Sequence, residues 1–218
     1  HGVRLGGGKA HWYRNRWIRS DAVSAALGEP RAAAPADRER GLVNTNVLAH
    51  AGRTWALVEA GCSPVVLTDE LETVAYDPFG GSLRGPFSAH PHLDPATGEM
   101  HAICYRAEVH DTVWHTVVNA AGDVVRELPI PVRDGPSIHD CALTPRHVVV
   151  FDLPVTFSFK MVIAGHPFPY RWNPAHPARV GLLPRQGTAA DIRWYTVDPC
   201  YVFHTCNAFE DETGNVTL

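Results

Sequence analysis

The chain repeats one plan, in which short strand-like segments are joined by turns. The first group comprises four such segments: residues 45–49, 54–59, 65–67 and 71–75. Further groups begin at residues 89–93, 138–143 and 200–209. A four-stranded unit that recurs at intervals of roughly 40 to 65 residues is typical of a β-propeller, whose blades stack around a central axis. We therefore predict an all-β propeller, with a β-sandwich or a large mixed sheet as the alternatives.

Composition favours many short elements and argues against several classes of protein. The 218 residues include 18 Gly and 18 Pro, which favour turns over long helices. The net charge of −4, without a block of Lys and Arg, does not suggest nucleic-acid binding. No segment has the roughly 18 uncharged apolar residues that a membrane-spanning helix requires. Five scattered cysteines without a C-x-x-C spacing indicate free thiols, which suits a cytoplasmic protein.

One histidine recurs at the same position in three of the groups. His90, His139 and His204 each lie in the first segment of a group and are followed by a turn and a second segment. The innermost strand of a blade lines the propeller axis, so equivalent side chains of successive blades converge there. Imidazoles brought together among apolar neighbours form a site for a transition metal. The alternative for any one of them is an ordinary surface or core histidine, as we expect for the others, among which His92 is the next candidate.

Five blocks of the sequence resemble the carotenoid cleavage oxygenases. In chain order they are NTNV at 44–47, WALVEAG at 55–61, FSAHPHLDPATGE at 87–99, SIHD at 137–140 and FHTCNAFE at 203–210. The resemblance implies a seven-bladed propeller capped by loops, with a non-haem Fe(II) held by four histidines. It also implies O₂-dependent cleavage of a conjugated C=C bond into two carbonyl products. Residues 1–218 would then be a single domain, an internal portion of a larger oxygenase that covers about four blades.

The resemblance also assigns roles to individual residues. It makes three histidines the ligands of one Fe(2+) per chain, with a fourth expected beyond Leu218: His90, His139 and His204. Glu59 matches an outer carboxylate that accepts a hydrogen bond from the far nitrogen of a ligand imidazole, which sets the tautomer and basicity of that ligand. Alternatively, Glu59 pairs with Arg53 or with solvent.

The residue before Glu59 bears on the class of substrate. Stilbene-cleaving relatives in the resembled family tend to carry a lysine there, which can engage a phenol, whereas this chain carries Val58. An apolar polyene, a carotenoid or apocarotenoid, is therefore favoured over a hydroxystilbene. Two alternatives stay open: a stilbenoid-cleaving dioxygenase of the same family, and a non-catalytic propeller that acts as a binding scaffold.

An apolar segment, residues 153–180, interrupts the third group. Its first part, residues 153–172, is rich in aromatic side chains and carries only Lys160 and Arg171 as firm charges. Relatives in the resembled family carry an apolar patch near the tunnel mouth that enters a membrane leaflet, so peripheral membrane contact is one expectation. A loop packed on the propeller face, which buries those aromatic side chains in ordinary core, is the other.

Overall fold

The structure is a computed structural model that describes residues 1–218, and it begins with a hairpin and a short helix. Strands β1 (Gly2–Gly6) and β2 (Lys9–Arg14) pair across a turn at Gly7 and Gly8, both of which have positive φ. Helix α1 (Asp21–Leu27) follows. Residues 29–40, after the helix, are irregular apart from an isolated bridge at Ala33.

Blade 1 is a four-stranded antiparallel meander. Its strands are β3 (Asn46–His50), β4 (Arg53–Leu57), β5 (Val65–Leu67) and β6 (Thr73–Tyr76). The β3–β4 turn consists of Ala51 and Gly52, and both have positive φ, as a tight hairpin turn whose twist matches its strands requires. This blade follows the predicted segments to within two residues at each end.

Blades 2 and 3 repeat the same antiparallel order. Blade 2 comprises β7 (His92–Leu93), β8 (Met100–Cys104), β9 (Thr112–Val118) and β10 (Val124–Pro131). Blade 3 starts with β11 (Ala142–Leu143) and β12 (His147–Asp152), and the chain then leaves it for an excursion. The excursion is a hairpin with a short helix at its tip: β13 (Val155–Phe157), α2 (Phe159–Ile163) and β14 (Tyr170–Trp172).

The chain then completes blade 3 and begins a fourth. Strands β15 (Arg179–Pro184) and β16 (Arg193–Thr196) give blade 3 the order β11-β12-β15-β16. Strands β17 (Phe209–Glu210) and β18 (Val216–Thr217) form the two-stranded blade 4. Three complete blades and the start of a fourth confirm the prediction of an all-β propeller of which the chain covers about four blades.

The hydrophobic core lies between the faces of neighbouring blades. Trp55 of blade 1 packs in one cluster with Met100 and Val118 of blade 2. Ile103 of blade 2 shares a second cluster with Val148 of blade 3. Burying a large apolar side chain in this way stabilises the fold by about 1.5–3 kcal/mol relative to leaving it exposed. Because blade 2 packs one face against blade 1 and the other against blade 3, these blades hold the loops at their inner edges in a defined relative position.

The first strand of each later blade is shorter than predicted, and this corrects the placement of the three histidines. Only two residues of each predicted segment are strand in β7 and β11, and only Phe209 of the third segment lies in β17. Pro91 lacks the N–H that a ladder needs, and the side chain of Asp140 takes the backbone N–H of Cys141. His90, His139 and His204 therefore lie in loops that lead into the strands, rather than on the strands themselves. No helix in the structure combines the length and apolar character needed to cross a membrane.

Candidate metal centre

Three histidines from three successive blades meet at one point. The ring centroids of His90 and His139 lie 4.5 Å apart, those of His90 and His204 4.6 Å, and those of His139 and His204 4.9 Å. One nitrogen from each ring lies within 4.8 Å of the other two. The sequence-predicted trio is thus brought together, with nearly equal spacings that leave one common position between the rings.

The loops that carry the three rings differ in how firmly they are held. His90 precedes β7 by two residues and His139 precedes β11 by three, and both side chains are partly buried. His204 precedes β17 by five residues, and its side chain is 58% exposed. The cluster therefore has a buried side formed by His90 and His139 and an open side formed by His204.

His90 has the electronic state of a metal ligand. Burial lowers its pKa, and the neighbouring His139 and His204 lower it further, so the ring is neutral near pH 7. Its Nε2 atom is buried and has no hydrogen-bond partner. A buried polar atom without a partner costs on the order of 1–3 kcal/mol, which a metal ion at that position would offset. The donor set of three imidazoles and this unpartnered nitrogen fit a transition metal.

Glu59 lies beside His139. Its Oε2 accepts a hydrogen bond from Nδ1 of His139, and its Oε1 accepts one from the Tyr105 hydroxyl. Arg53, the alternative partner considered for Glu59, pairs instead with Asp77 at 3.0 Å. A carboxylate at Nδ1 keeps the proton there, so the lone pair of His139 resides on Nε2.

Sequence reasoning missed the hydroxyl groups that support Glu59. Burial, and then the charge of Glu59, raise the pKa of Tyr105, so its hydroxyl stays a hydrogen-bond donor. The same hydroxyl lies 3.1 Å from Oγ of Ser137, which in turn lies 3.1 Å from the hydroxyl of Tyr201. Ser137 stands in the SIHD block, but nothing in the sequence pairs it with Tyr105.

Asp140 is a second residue that the sequence did not single out. Its Oδ1 accepts a hydrogen bond from Nε2 of His92 at 2.8 Å, which places His92 outside the histidine cluster. Its Oδ2 accepts one from the backbone N–H of Thr205 at 3.0 Å. Burial alone would raise the pKa of Asp140, but the hydrogen bonds from His92 and Thr205 outweigh it and hold the pKa below its usual value.

A cavity of about 400 Å³ opens beside His139. Aromatic and aliphatic side chains form most of its wall, and the excursion between β12 and β15 contributes part of it: Val58, Phe168, Tyr170, Tyr201 and Phe203. A larger cleft, of about 710 Å³, is lined by charged residues around Arg146 and Glu210 and contains none of the three clustered histidines. The smaller, largely apolar cavity is therefore the one that adjoins the cluster, through His139.

The fold and the site define a class of protein: a β-propeller whose inner loops gather histidine side chains beside an apolar cavity. The family model described as "Retinal pigment epithelial membrane protein" matches residues 1–218. A carotenoid cleavage oxygenase of Mycobacterium tuberculosis is 43% identical over 97% of this chain. The chain belongs to the carotenoid cleavage oxygenase family.

Two more distant proteins agree with this assignment. Carotenoid 9,10(9′,10′)-cleavage dioxygenase 1 of Arabidopsis thaliana is 34% identical over 82% of the chain, which covers 34% of that protein. The crystal structure of Pseudomonas brassicacearum lignostilbene dioxygenase superimposes with a TM-score of 0.73 at 27% identity, over 89% of this chain and 43% of that one. The chain spans 50% of the length of the Mycobacterium tuberculosis relative.

Proposed function

We propose that the protein is a non-haem Fe(II)-dependent dioxygenase that cleaves a conjugated C=C bond of a carotenoid or apocarotenoid. Both atoms of O₂ would enter the products, which are two aldehydes or ketones. The observation that carries the proposal is the convergence of His90, His139 and His204 next to an apolar cavity, with Nε2 of His90 left without a hydrogen-bond partner. A fourth histidine ligand is expected beyond Leu218, as the family resemblance implies.

The chain's own residues would have distinct tasks in this reaction. His90, His139 and His204 would hold Fe(II), which would supply the activation of O₂. Glu59 keeps the proton of His139 on Nδ1 and offsets part of the charge of the ion at a distance. Tyr105 holds Glu59 in place by donating to its other oxygen. The apolar wall of the cavity excludes water and aligns the polyene beside the cluster.

Support for a polyene comes from the wall of the cavity. Val58 lies in that wall beside Glu59, and it offers no charge or donor to a phenol. The 43% identical relative is named for carotenoid cleavage, whereas the lignostilbene dioxygenase is less similar in sequence. Cleavage of a hydroxystilbene is the second candidate, favoured by the close structural match to that enzyme.

The decisive experiment compares iron content and turnover in the full-length protein and in His139→Ala. We expect the wild type to retain about one iron per chain and to cleave a polyene, with product masses that account for both oxygen atoms. His139→Ala should lose both the iron and the turnover, because it removes one ligand and the contact with Glu59. His11→Ala, at an exposed histidine of the first hairpin, is the matched control and should keep both.

Three outcomes would change the proposal. Retention of iron and turnover by His139→Ala would refute the ligand assignment. Exclusive turnover of a hydroxystilbene offered in parallel would select the second candidate. A wild-type protein that is stable, free of metal and inactive on both would favour a non-catalytic propeller that acts as a binding scaffold.

We further propose that residues 153–180 cap the cavity and contact a membrane surface at their tip. The base of this segment is packed, because Tyr170 is buried and Phe157 packs on the core between blades 2 and 3. The tip is exposed: Phe159 by 65%, Ile163 by 86% and Phe168 by 59%. An apolar patch of this kind on a protein that handles a water-insoluble substrate suits insertion into a lipid leaflet. The expected location is then cytoplasmic, with peripheral membrane contact.

Liposome co-sedimentation tests the membrane contact. The double variant Phe159→Glu/Ile163→Glu should reduce the bound fraction by more than tenfold, because each apolar side chain contributes about 1.5–3 kcal/mol when it leaves water. Val125→Glu, at an equally exposed apolar position on β10, is the control and should bind like the wild type. Equal binding of all three proteins would contradict the proposal.

A further inference from the structure

The carboxylate of Asp140 connects loops of three blades. Asp140 follows His139 in the chain, and its side chain is only 5% exposed. Its Oδ1 accepts from His92 of blade 2 at 2.8 Å and from the backbone N–H of Cys141 at 2.7 Å. Its Oδ2 accepts from the backbone N–H of Thr205, in the loop before blade 4, at 3.0 Å. One buried charge thus joins the loops next to His90, His139 and His204.

The loop that carries His204 depends on this carboxylate more than the others do. Residues 198–208 make no backbone-to-backbone hydrogen bonds, and the strand that follows them begins only at Phe209. Two residues attach this loop to blade 3 through hydrogen bonds: Tyr201, through Ser137, and Thr205, through Asp140 and the carbonyl of Cys141. Thr205 adjoins His204, so its bonds decide where that imidazole stands.

The same carboxylate also faces the ring of His204. Oδ2 lies 3.8 Å from Nδ1 of His204. At that distance a proton on Nδ1 is the electrostatically favoured arrangement, and it leaves the lone pair of His204 on Nε2. Charge-assisted hydrogen bonds from backbone N–H groups are shorter and stronger than neutral ones, which suits a residue that must hold loops to within a fraction of an ångström.

We propose that Asp140 is a positioning residue for the metal centre, which places His204 relative to His139 and His90 without itself binding the ion. This inference rests on the proposed metal centre. It predicts that loss of the charge weakens metal binding by separating the ligands, even when the blades stay folded. Outer groups that orient metal ligands typically change metal affinity by about 10- to 100-fold.

Titration of the metal-free full-length protein with Co(II), followed by the visible absorption of the bound ion, tests this role. Asp140→Asn is expected to weaken Co(II) binding by tenfold or more and to alter the shape of the spectrum. The matched control is Asp152→Asn. Like Asp140, Asp152 is buried, and it accepts a hydrogen bond from a histidine, His176, at 2.8 Å, but it lies outside the site. Asp152→Asn should lose thermal stability and still bind Co(II) within about twofold of wild type.

A second variant keeps the test decisive if Asp140→Asn does not fold. Thr205→Val keeps the shape of the side chain and removes its hydroxyl contacts with Asp140 and the Cys141 carbonyl. We expect it to weaken Co(II) binding about threefold. Wild-type affinity and spectrum in folded Asp140→Asn, or in Thr205→Val when the former is unfolded, would overturn the inference while leaving the metal centre in place. Failure of the wild type itself to bind Co(II) would overturn the metal centre and this role together.

Discussion

Two groups of histidines in this molecule have opposite environments. In the cluster of His90, His139 and His204, the rings come from loops, are partly or largely exposed, and face one another with a free nitrogen on His90. His101 and His115, by contrast, lie on the adjacent strands β8 and β9 and are at most 1% exposed. Their rings are stacked, and Nδ1 of His101 lies 3.0 Å from Nε2 of His115.

The two groups differ in whether the lone pairs of their ring nitrogens accept hydrogen bonds. Arg185 is only a donor, so its contact of 2.9 Å with His101 assigns the lone pair of His101 to Nε2 and its proton to Nδ1. That proton is donated to Nε2 of His115, whose lone pair is then used, while the buried Nδ1 of His115 has no partner. The lone pairs of both rings thus serve hydrogen bonds in the core. His90 differs because its unpartnered nitrogen belongs to a ring that lies next to two other potential metal ligands.

Removal of one histidine from each group tests this contrast most directly. His90→Ala should reduce Co(II) affinity by at least 100-fold, because it deletes a donor, and should change the melting temperature little. His115→Leu should leave Co(II) affinity within about twofold of wild type and destabilise the fold by about 1–3 kcal/mol, because Nδ1 of His101 loses its acceptor. Metal titration and denaturant unfolding of both variants check this, and equal losses of affinity would erase the distinction.

Arg185 gives the next largest expected effect. It follows β15 in blade 3 and contacts Asp94 at 2.7 Å and His101 in blade 2, and its side chain is 11% exposed. Arg185→Met should destabilise the protein by about 3 kcal/mol, because it leaves the carboxylate of Asp94 without its cation between two blades. Equilibrium unfolding in urea measures the change. Arg16→Met, at an exposed ion pair with Glu72, is the control, with an expected cost of about 1 kcal/mol or less.

The smallest expected effect is a dependence of stability on pH that the buried pair introduces. Burial lowers the pKa of both His101 and His115, and the charge of Arg185 lowers that of His101 further. The pair's contribution to stability is therefore complete above the ordinary histidine pKa of about 6.5. This contribution is lost as the pH falls below that value, because the unfolded chain then binds protons that the folded chain does not. The free energy of unfolding falls by up to about 1.4 kcal/mol per pH unit for each such proton.

Unfolding free energies measured between pH 7 and pH 5 check this dependence. His115→Leu should show a flatter decline than the wild type over that range. Burial lowers the pKa of His176, but hydrogen bonds with Asp152 and Asp134 outweigh it and raise that pKa. His176 therefore changes stability with pH in the opposite direction, and it does so equally in both proteins. The difference between the two curves therefore isolates the contribution of His115, and parallel curves would show that His115 does not titrate as its environment implies.

Strand pattern and histidine spacing could be predicted because the interactions behind them are local. The hairpins of blade 1 pair segments a few residues apart, so alternating apolar residues and turn residues identify them directly. We predicted strands at His90, His139 and His204, but these residues lie in loops. The prediction was wrong because the segments around them are as apolar as strands. Pro91 is visible in the sequence, whereas the hydrogen bond between Asp140 and Thr205 forms only when blade 4 lies beside blade 3.

The order of the residues was enough to identify the repeated strand unit, the family and the three histidines, since each depends on short contiguous segments. The partners of those residues depend on how the blades pack. His139 meets Glu59 across 80 positions of the chain, Tyr105 meets Glu59 across 46, and Asp140 meets Thr205 across 65. Such contacts depend on the packing of one blade against the next, which buries apolar faces without regard to the distance along the chain. The packing of blades therefore turns three recurring histidines into one candidate site and two other histidines into core.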